Sequence, residues 1–345
     1  VAFAKVSEPF EFNQLSTSQS DIFQMFLGPL KEDLEALEQN LPELIQTNSQ
    51  TSKEILDYFF LQKGKRIRPA IFLFLCQSFS YTGSHKQSMA CVSEYVHTAS
   101  LLHDDVIDHS PTRRGKKTAH TIWGEESSIL VGDLIYSQAS EIMTRTGELG
   151  IVSAFAKAIS CMSEGEIIQL ENIFNLNLSE EIYYKIISFK TASLLSATCK
   201  TAAILSGLNK EETDTLESFG ATLGLSFQLL DDALDYKNSQ DVLGKKQFKD
   251  LEEGKVTLPL ILAKKQSSPL ERSKLEKIFS TKEMLPEDKT FIVSLVKKYK
   301  TAEESIQIAT EKTKTAIVEL SRVFAGKNEL DSLKALALGL TQRTH

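Results

Sequence analysis

Prolines, cysteines and long apolar runs are all scarce in this sequence, and each shortage narrows what the chain can be. Only eight prolines interrupt 345 residues, so long helices can run unbroken. The four cysteines, Cys76, Cys91, Cys161 and Cys199, lie far apart with no CxxC pair or zinc-finger spacing. That argues against a disulfide framework or a structural zinc site and for reduced, mostly buried thiols of a cytosolic protein. The strongly apolar stretches are short, such as Ala70 to Cys76, well under the ~20 residues of a membrane span. The first residues carry early acids and no apolar run of signal-peptide length; because they open on Val rather than Met, the sequence leaves open what precedes them. A net charge of −7 without any basic block argues against nucleic acid as a partner. The expectation is a soluble, cytoplasmic chain that can still touch a membrane surface.

What is present in abundance is helical periodicity. Hydrophobic content of 41% and charged content of 25% are ordinary for a globular protein. Apolar positions recur at helical spacing over 20–48, 51–62, 69–80, 86–108, 126–146, 149–171, 179–206, 210–236, 256–265, 286–299, 301–323 and 328–342. Strand-like alternation is scarce. Loops fall at Ser80–Ser84, Ser110–Lys117 and Lys237–Gly254, the last strongly charged, and no linker or internal repeat is visible. The expectation is one all-α domain over residues 1–345, with 1–18 as a loose tail. The segment 69–80 is apolar almost all round, as is much of 192–206 and 219–230, so these helices belong inside a large bundle.

Two acidic clusters adjoin such apolar segments. In HDDVID (103–108) Asp104 and Asp108 stand i,i+4 and share a helix face beside Asp105; in DDALD Asp231, Asp232 and Asp235 repeat the spacing. In a cleft at an effective dielectric near 20, two carboxylates ~5 Å apart repel by roughly 3 kcal/mol, which calls for cations. Oxygen-only ligands, without His or Cys spacing, suit a hard ion, and Mg²⁺ suits a phosphate-bearing substrate. One DDxxD is ordinarily a solvated helix end. Two copies, each following an apolar helix, are not.

Basic residues stand in matching places. Gly64-Lys65-Arg66-Ile67-Arg68-Pro69 runs into a helix, where free N–H groups, the dipole and two or three cations would converge on an anion. Arg113 and Arg114 follow the first acidic cluster, and Lys245 and Lys255 flank the charged loop after the second. Each alone reads as a solvated side chain. Together they outline diphosphate sites beside metal sites.

The run EYVHTASLLHDDVIDHSPTRRGKKT, with GKRIRP before it and SFQLLDDALDY, LGK and EGKVTLP after it, resembles the trans-prenyltransferase (polyprenyl diphosphate synthase) family, most closely its long-chain octaprenyl type. By motif the similarity covers about residues 55 to 265. The resemblance implies the isoprenoid synthase fold, a single large helical bundle with a deep central cavity, usually a homodimer. It implies a reaction that joins isopentenyl diphosphate to an allylic diphosphate with up to three Mg²⁺. By position, Asp104, Asp108, Asp231 and Asp235 correspond to metal ligands, with Asp105 and Asp232 close by. Lys65, Arg68, His97 and Arg114 correspond to the isopentenyl diphosphate site. Arg113, Lys190, Thr191, Gln228, Lys245 and Lys255 correspond to contacts of the allylic diphosphate, Lys190 and Lys255 also assisting its departure.

Counting back from Asp104 along its helix, one face presents Ser100, Ala99, Val96, Ser93 and Val92, and the first larger residue is Met89. At 1.5 Å per residue Met89 lies about 22 Å below Asp104. If that face lines the product tunnel, a long product is expected, and the resemblance of HTASLLHDDVID to the octaprenyl type implies about C40; the opposite wall, with Ile135, Ala139 and Ile142, could close the tunnel earlier and give a geranylgeranyl or farnesyl product. Three other readings fit less of the sequence. A metal phosphohydrolase built on His103-Asp104, with His97 or His120 as a further ligand, leaves the second cluster without a task. A non-catalytic synthase subunit would have lost cluster residues. A helical scaffold protein explains neither cluster.

Overall fold

The computed structural model describes residues 26–61, 64–113, 115–237, 248–324 and 329–341. After a short 3₁₀ turn at Gly28–Leu30, the helices are α1 (Lys31–Asn40), α2 (Gln50–Phe60), α3 (Ile67–Ser78), α4 (Lys86–Ile107), α5 (Ala119–Trp123), α6 (Glu125–Thr144), α7 (Leu149–Glu171) and α8 (Glu180–Ile187). A wide π turn at Ser188–Ala192 joins α8 to α9 (Ser193–Leu205). Then follow α10 (Lys210–Lys237), α11 (Lys249–Glu252), α12 (Leu258–Gln266), α13 (Pro269–Ser280), α14 (Pro286–Tyr299), α15 (Thr301–Leu320) and α16 (Glu329–Thr341). The strands are two-residue arms of one hairpin, β1 (Thr112–Arg113) and β2 (Lys116–Lys117), antiparallel with Arg113 opposite Lys116.

The all-α expectation holds, with local corrections, among them the short helices α5, where no helix was expected, and α11, inside the expected loop Lys237–Gly254. The helix expected over 20–48 is, from residue 26 on, the 3₁₀ turn and α1, with 41–49 in turns and extended chain. The helix expected over 179–206 contains the π turn. Helix α13 lies in a stretch where no helix was expected; it is polar, and its start is fixed by a capping box in which Ser268 and Glu271 bond each other's backbone N–H, followed by Pro269 at the first position. The suggested tail, 1–18, lies outside the described residues.

Two apolar cores share helix α10. Leu216, Phe219 and Leu223 belong to the core built with α3, α4, α6, α7 and α9. Leu229, Ala233 and Tyr236, further along, belong to the core built with α8 and α12–α15. Helix α10 packs against α9 and α15, and α4 packs against α6 and α3. Ala70 to Cys76 of α3 are all buried, as a helix apolar on every side requires. Cys76, Cys91 and Cys199 are buried and Cys161 is partly so, all as free thiols.

Candidate active site

Both aspartate clusters sit at the end of a long helix, the first at the C-terminus of α4 and the second in the last turns of α10. What they face comes from the helix between them in sequence. At the π turn the backbone bulges by one residue, a feature common at functional positions, and presents Lys190 and Thr191. Glycines let the flanking helices approach it: a Cβ at Gly165 of α7 would meet Lys190 N at 3.0 Å, and one at Gly224 of α10 would meet Ala192 Cα at 2.6 Å.

A cavity opens beside this turn, lined by Lys190, Thr191, Gln228, Asp232, Asp250 and Lys255 over an apolar wall that includes Ile186, Ile187 and Val256. Its polar side is a chain of hydrogen bonds. Thr191 Oγ1 donates to Gln228 Oε1 at 2.8 Å, Gln228 Nε2 to Asp232 Oδ1 at 2.7 Å, and Tyr183 Oη to Asp232 Oδ2 at 2.7 Å. Lys190 pairs with Glu166 of α7, and Lys255 with Glu253. The lysines act on the first cluster and share a cavity with Asp232 of the second: Lys190 acts electrostatically on Asp104 and on Asp250, while Lys255 feels Asp108 and Asp250. Lys249 of α11 donates to Ser110 Oγ at 3.1 Å, tying the second half to the loop after α4.

The electrostatics record too many carboxylates for the available cations. Burial, then Glu166 and Asp108, push Asp104 up to about 6 against the lowering influence of Lys190 and Arg113. Burial, then Asp250, push Asp235 up to about 7. Asp232 and Asp250 are raised as well, chiefly by burial. Lys255 runs the other way: burial would lower it, but Asp108, Glu253 and Asp250 together hold it well above the ordinary lysine value. Asp105 Oδ2 and Asp235 Oδ2 are buried without a hydrogen-bond partner. Excess negative charge, orphaned carboxylate oxygens and an oxygen-only donor set fit a hard divalent cation such as Mg²⁺. Among the described residues no three acidic, His or Cys side chains converge into a ligand shell. Mg²⁺ commonly binds through one or two carboxylates, with water and substrate phosphates completing the octahedron.

A second cavity lies on the other side of α4's end, lined by Tyr58, Arg66, Glu94, His97, Asp105, Arg113 and the hairpin lysines Lys116 and Lys117. The Arg113 Nε–Asp105 Oδ1 bond of 2.8 Å stands at its rim, and Asp105 is raised by burial despite that partner. Tyr58 Oη holds the Lys117 carbonyl at 2.7 Å and so fixes the hairpin. Lys65 is exposed and Arg68 is half-buried on either side of Arg66. Arg66 itself is buried against Glu38 and Glu94.

The structure thus gathers Asp105, Asp232, Lys190, Thr191, Gln228, His97, Arg113 and Lys255 around two adjoining cavities, with Asp104, Asp108, Asp231 and Asp235 on the same helix ends. Arg114 and Lys245 lie outside the described residues. His103 does not join Asp104: its Nε2 lies 3.0 Å from the Ile129 carbonyl and 3.5 Å from Asp133, both on α6, which removes the phosphohydrolase pair. Of the tunnel-face residues, Ala99, Val96 and Met89 have no exposed surface and sit in the core, whereas Ser100 is half-buried. Glu166, Tyr183 and Asp250 are site residues that no sequence spacing singled out.

Comparison with known proteins agrees with this geometry. The polyprenyl synthetase family model matches residues 49–296. The chain is 39% identical over 238 residues to the octaprenyl diphosphate synthase of Escherichia coli, covering 69% of this chain and 74% of that protein. It is 35% identical to a prenyl transferase of Cyanophora paradoxa over 92% of this chain and 98% of that one. The crystal structure of a decaprenyl diphosphate synthase from Rhodobacter capsulatus superposes with a TM-score of 0.88 at 31% identity, over 94% of this chain and 99% of that chain. A polyprenyl synthase from Caulobacter crescentus, complexed with calcium and isoprenyl diphosphate, gives 0.87 at 32% identity, over 94% and 98%. With two DDxxD helix ends and half-buried lysines inside an all-α bundle, the chain belongs to the polyprenyl synthetase family and is a trans-polyprenyl diphosphate synthase.

Proposed function

We propose that this enzyme elongates an allylic diphosphate with isopentenyl diphosphate, in repeated Mg²⁺-dependent head-to-tail condensations, to an all-trans product of about C40. The observation that carries this reading is that Lys190 and Lys255, which act electrostatically on Asp104 and Asp108 of the first cluster, line one cavity with Asp232 of the second, while His97 and Arg113 line another. Asp104, Asp108, Asp231 and Asp235 would hold up to three Mg²⁺, which when bound would neutralise diphosphate as its bond to the allylic carbon breaks. Lys190, Lys255 and Arg113 add fixed positive charge at that leaving group. Thr191 and Gln228, already bonded to each other, orient it. Isopentenyl diphosphate takes the second cavity, its diphosphate on Lys65, Arg68, His97 and Arg114, so that its double bond reaches the allylic carbon. The departing diphosphate accepts the proton that the new product loses. The apolar wall of the first cavity keeps water from the cation.

Helix α10, which contributes to both cores, supports a single domain over the whole chain. Ile129 and Leu130 of α6 and Leu149, Ile167 and Leu170 of α7 are exposed, Leu149 at 83%, and an apolar surface of this kind is covered in a homodimer. No helix of the described residues is long and apolar enough to cross a membrane; we place the enzyme in the cytoplasm, at a membrane surface when it hands over its product. Incubating the chain with isopentenyl and farnesyl diphosphates and Mg²⁺, followed by product chromatography, tests the reading. A ladder ending near C40 is expected, and unreacted starting material refutes it.

A further inference from the structure

The residue after Lys65, Arg66, is a buried arginine with its own task. Arg66 caps the start of α3 in the left-handed conformation, φ 44° and ψ 39°, which a residue other than glycine seldom adopts. Its carbonyl accepts the first turn's bond from Ala70 N at 2.9 Å. The guanidinium makes four hydrogen bonds: Nε to Glu38 Oε1 at 2.8 Å, Nη2 to Glu38 Oε2 at 3.2 Å, Nη1 to Glu94 Oε1 at 2.7 Å and Nη2 to the Phe60 carbonyl at 3.0 Å. Of its five N–H donors, at least four are committed to the protein. One side chain therefore ties α1, the end of α2 and α4 to the first turn of α3. Glu94 stands three residues before His97 on α4, so both project from the same side of that helix.

We infer that Arg66 is a positioning residue for the isopentenyl diphosphate site, an inference that rests on the function proposed above. It fixes Lys65 and Arg68 relative to His97 and, through α4, to the first aspartate cluster. The left-handed turn separates Lys65 from the first turn of α3, which carries Arg68, and the clamp maintains that turn. A direct contact with diphosphate is a poor alternative, because two carboxylates already surround the single guanidinium and would repel the anion.

Steady-state kinetics on the intact chain, varying each diphosphate in turn, decide the matter with Arg66→Lys and Glu94→Gln. Lysine keeps the charge but cannot reproduce the fork. In both variants KM for isopentenyl diphosphate is expected to rise by about tenfold or more, while KM for the allylic substrate and kcat stay within about threefold. Cleavage of the allylic diphosphate in the absence of isopentenyl diphosphate should be unchanged. If Glu94→Gln instead lowers KM for isopentenyl diphosphate, Arg66 touches the substrate directly and the inference fails. It fails equally if the variants lose thermal stability with both KM values unchanged. Should Arg66→Lys not fold, Glu94→Gln carries the decision. Wild-type enzyme assayed in parallel separates the two readings: absence of any condensation refutes the function, not the clamp.

Discussion

Tyr183 donates its hydroxyl to Asp232 Oδ2 at 2.7 Å, and Gln228 occupies the other oxygen of the same carboxylate. The corresponding residue of the first cluster, Asp105, is held by Arg113 at 2.8 Å. Both middle aspartates are buried, Asp105 at 1% and Asp232 at 4% exposure. Each therefore braces a neighbouring side chain, and we propose the outer aspartates as the principal metal ligands. The consequence is a graded response. Asp104→Ala or Asp231→Ala should lower kcat by about a thousandfold or more, since each 1.36 kcal/mol of lost transition-state stabilisation is tenfold, with far-UV circular dichroism unchanged. Tyr183→Phe should cost about tenfold or less, because only a brace is lost. Equal losses in all three would show that the middle aspartate binds metal as its neighbours do.

The two cavities predict separable substrate defects. Arg68 belongs to the α3 segment beside the His97 cavity, and Lys255 lines the other. Arg68→Ala should raise KM for isopentenyl diphosphate by about tenfold or more and leave the allylic KM alone; Lys255→Ala should do the reverse or lower kcat. Initial rates with each substrate varied at saturating partner provide the check. Parallel changes in both KM values would refute the division.

The raised carboxylates make stability depend on pH. Asp104 near 6 and Asp235 near 7 both titrate above the ordinary 3.8. Between about pH 4 and pH 7 the folded chain holds protons that the unfolded chain has lost, so stability falls as pH rises through that window and the penalty persists above it. Mg²⁺ with inorganic pyrophosphate binds the ionised carboxylates and offsets the repulsion. Tm should therefore rise more on adding both at about pH 8 than at about pH 5, and binding near pH 6.5 should release protons, seen as a buffer-dependent heat. Identical Tm shifts at the two pH values would place the metal elsewhere.

How much of this was readable beforehand depended on whether one element held the signal. Asp104 with Asp108, and Asp231 with Asp235, are i,i+4 pairs on single helices, so spacing alone put them on one face. Glu166 and Asp250 reach the site only through tertiary packing, the first by the close approach of α7 to the π turn and the second by the short helix α11. Nothing in their local sequence distinguishes them from solvated acids. The π turn itself leaves no mark in the apolar pattern, and 179–206 reads as one helix because both halves continue the same periodicity. Helix α13 was missed for the opposite reason: its stretch is too polar for the pattern, although Ser268, Pro269 and Glu271 mark its start. Arg66 read as one more cation for the substrate until Glu38 and Glu94, distant in sequence, closed on it.

Product length is where packing changes the test. The face counted back from Asp104 suggested Ala99 as the wall of an open tunnel, so that a ring placed there would block the product without overpacking. Ala99 has no exposed surface, nor have Val96, Val92 and Ser93; the four are in close contact with their surroundings. Phenylalanine at 99 would thus overpack the core, and Ala99→Phe should destabilise the enzyme by about 1–3 kcal/mol, read as a lower Tm, whatever it does to the product. Ser100 differs. It is half-buried, its hydroxyl turned back to the His97 carbonyl at 2.8 Å, and it lies one turn before Asp104 on the same face. A ring at a half-buried position overpacks less than one at Ala99, and a chain that grows down this face of α4 passes it. Ser100→Phe should keep condensation and a near-native Tm but end the ladder well short of C40, because the ring would stand only about 6 Å below Asp104 at the helix rise of 1.5 Å per residue. Chromatography of products from the purified, folded variant decides it: a ladder still ending near C40 would mean that the growing chain leaves the site along another face of α4.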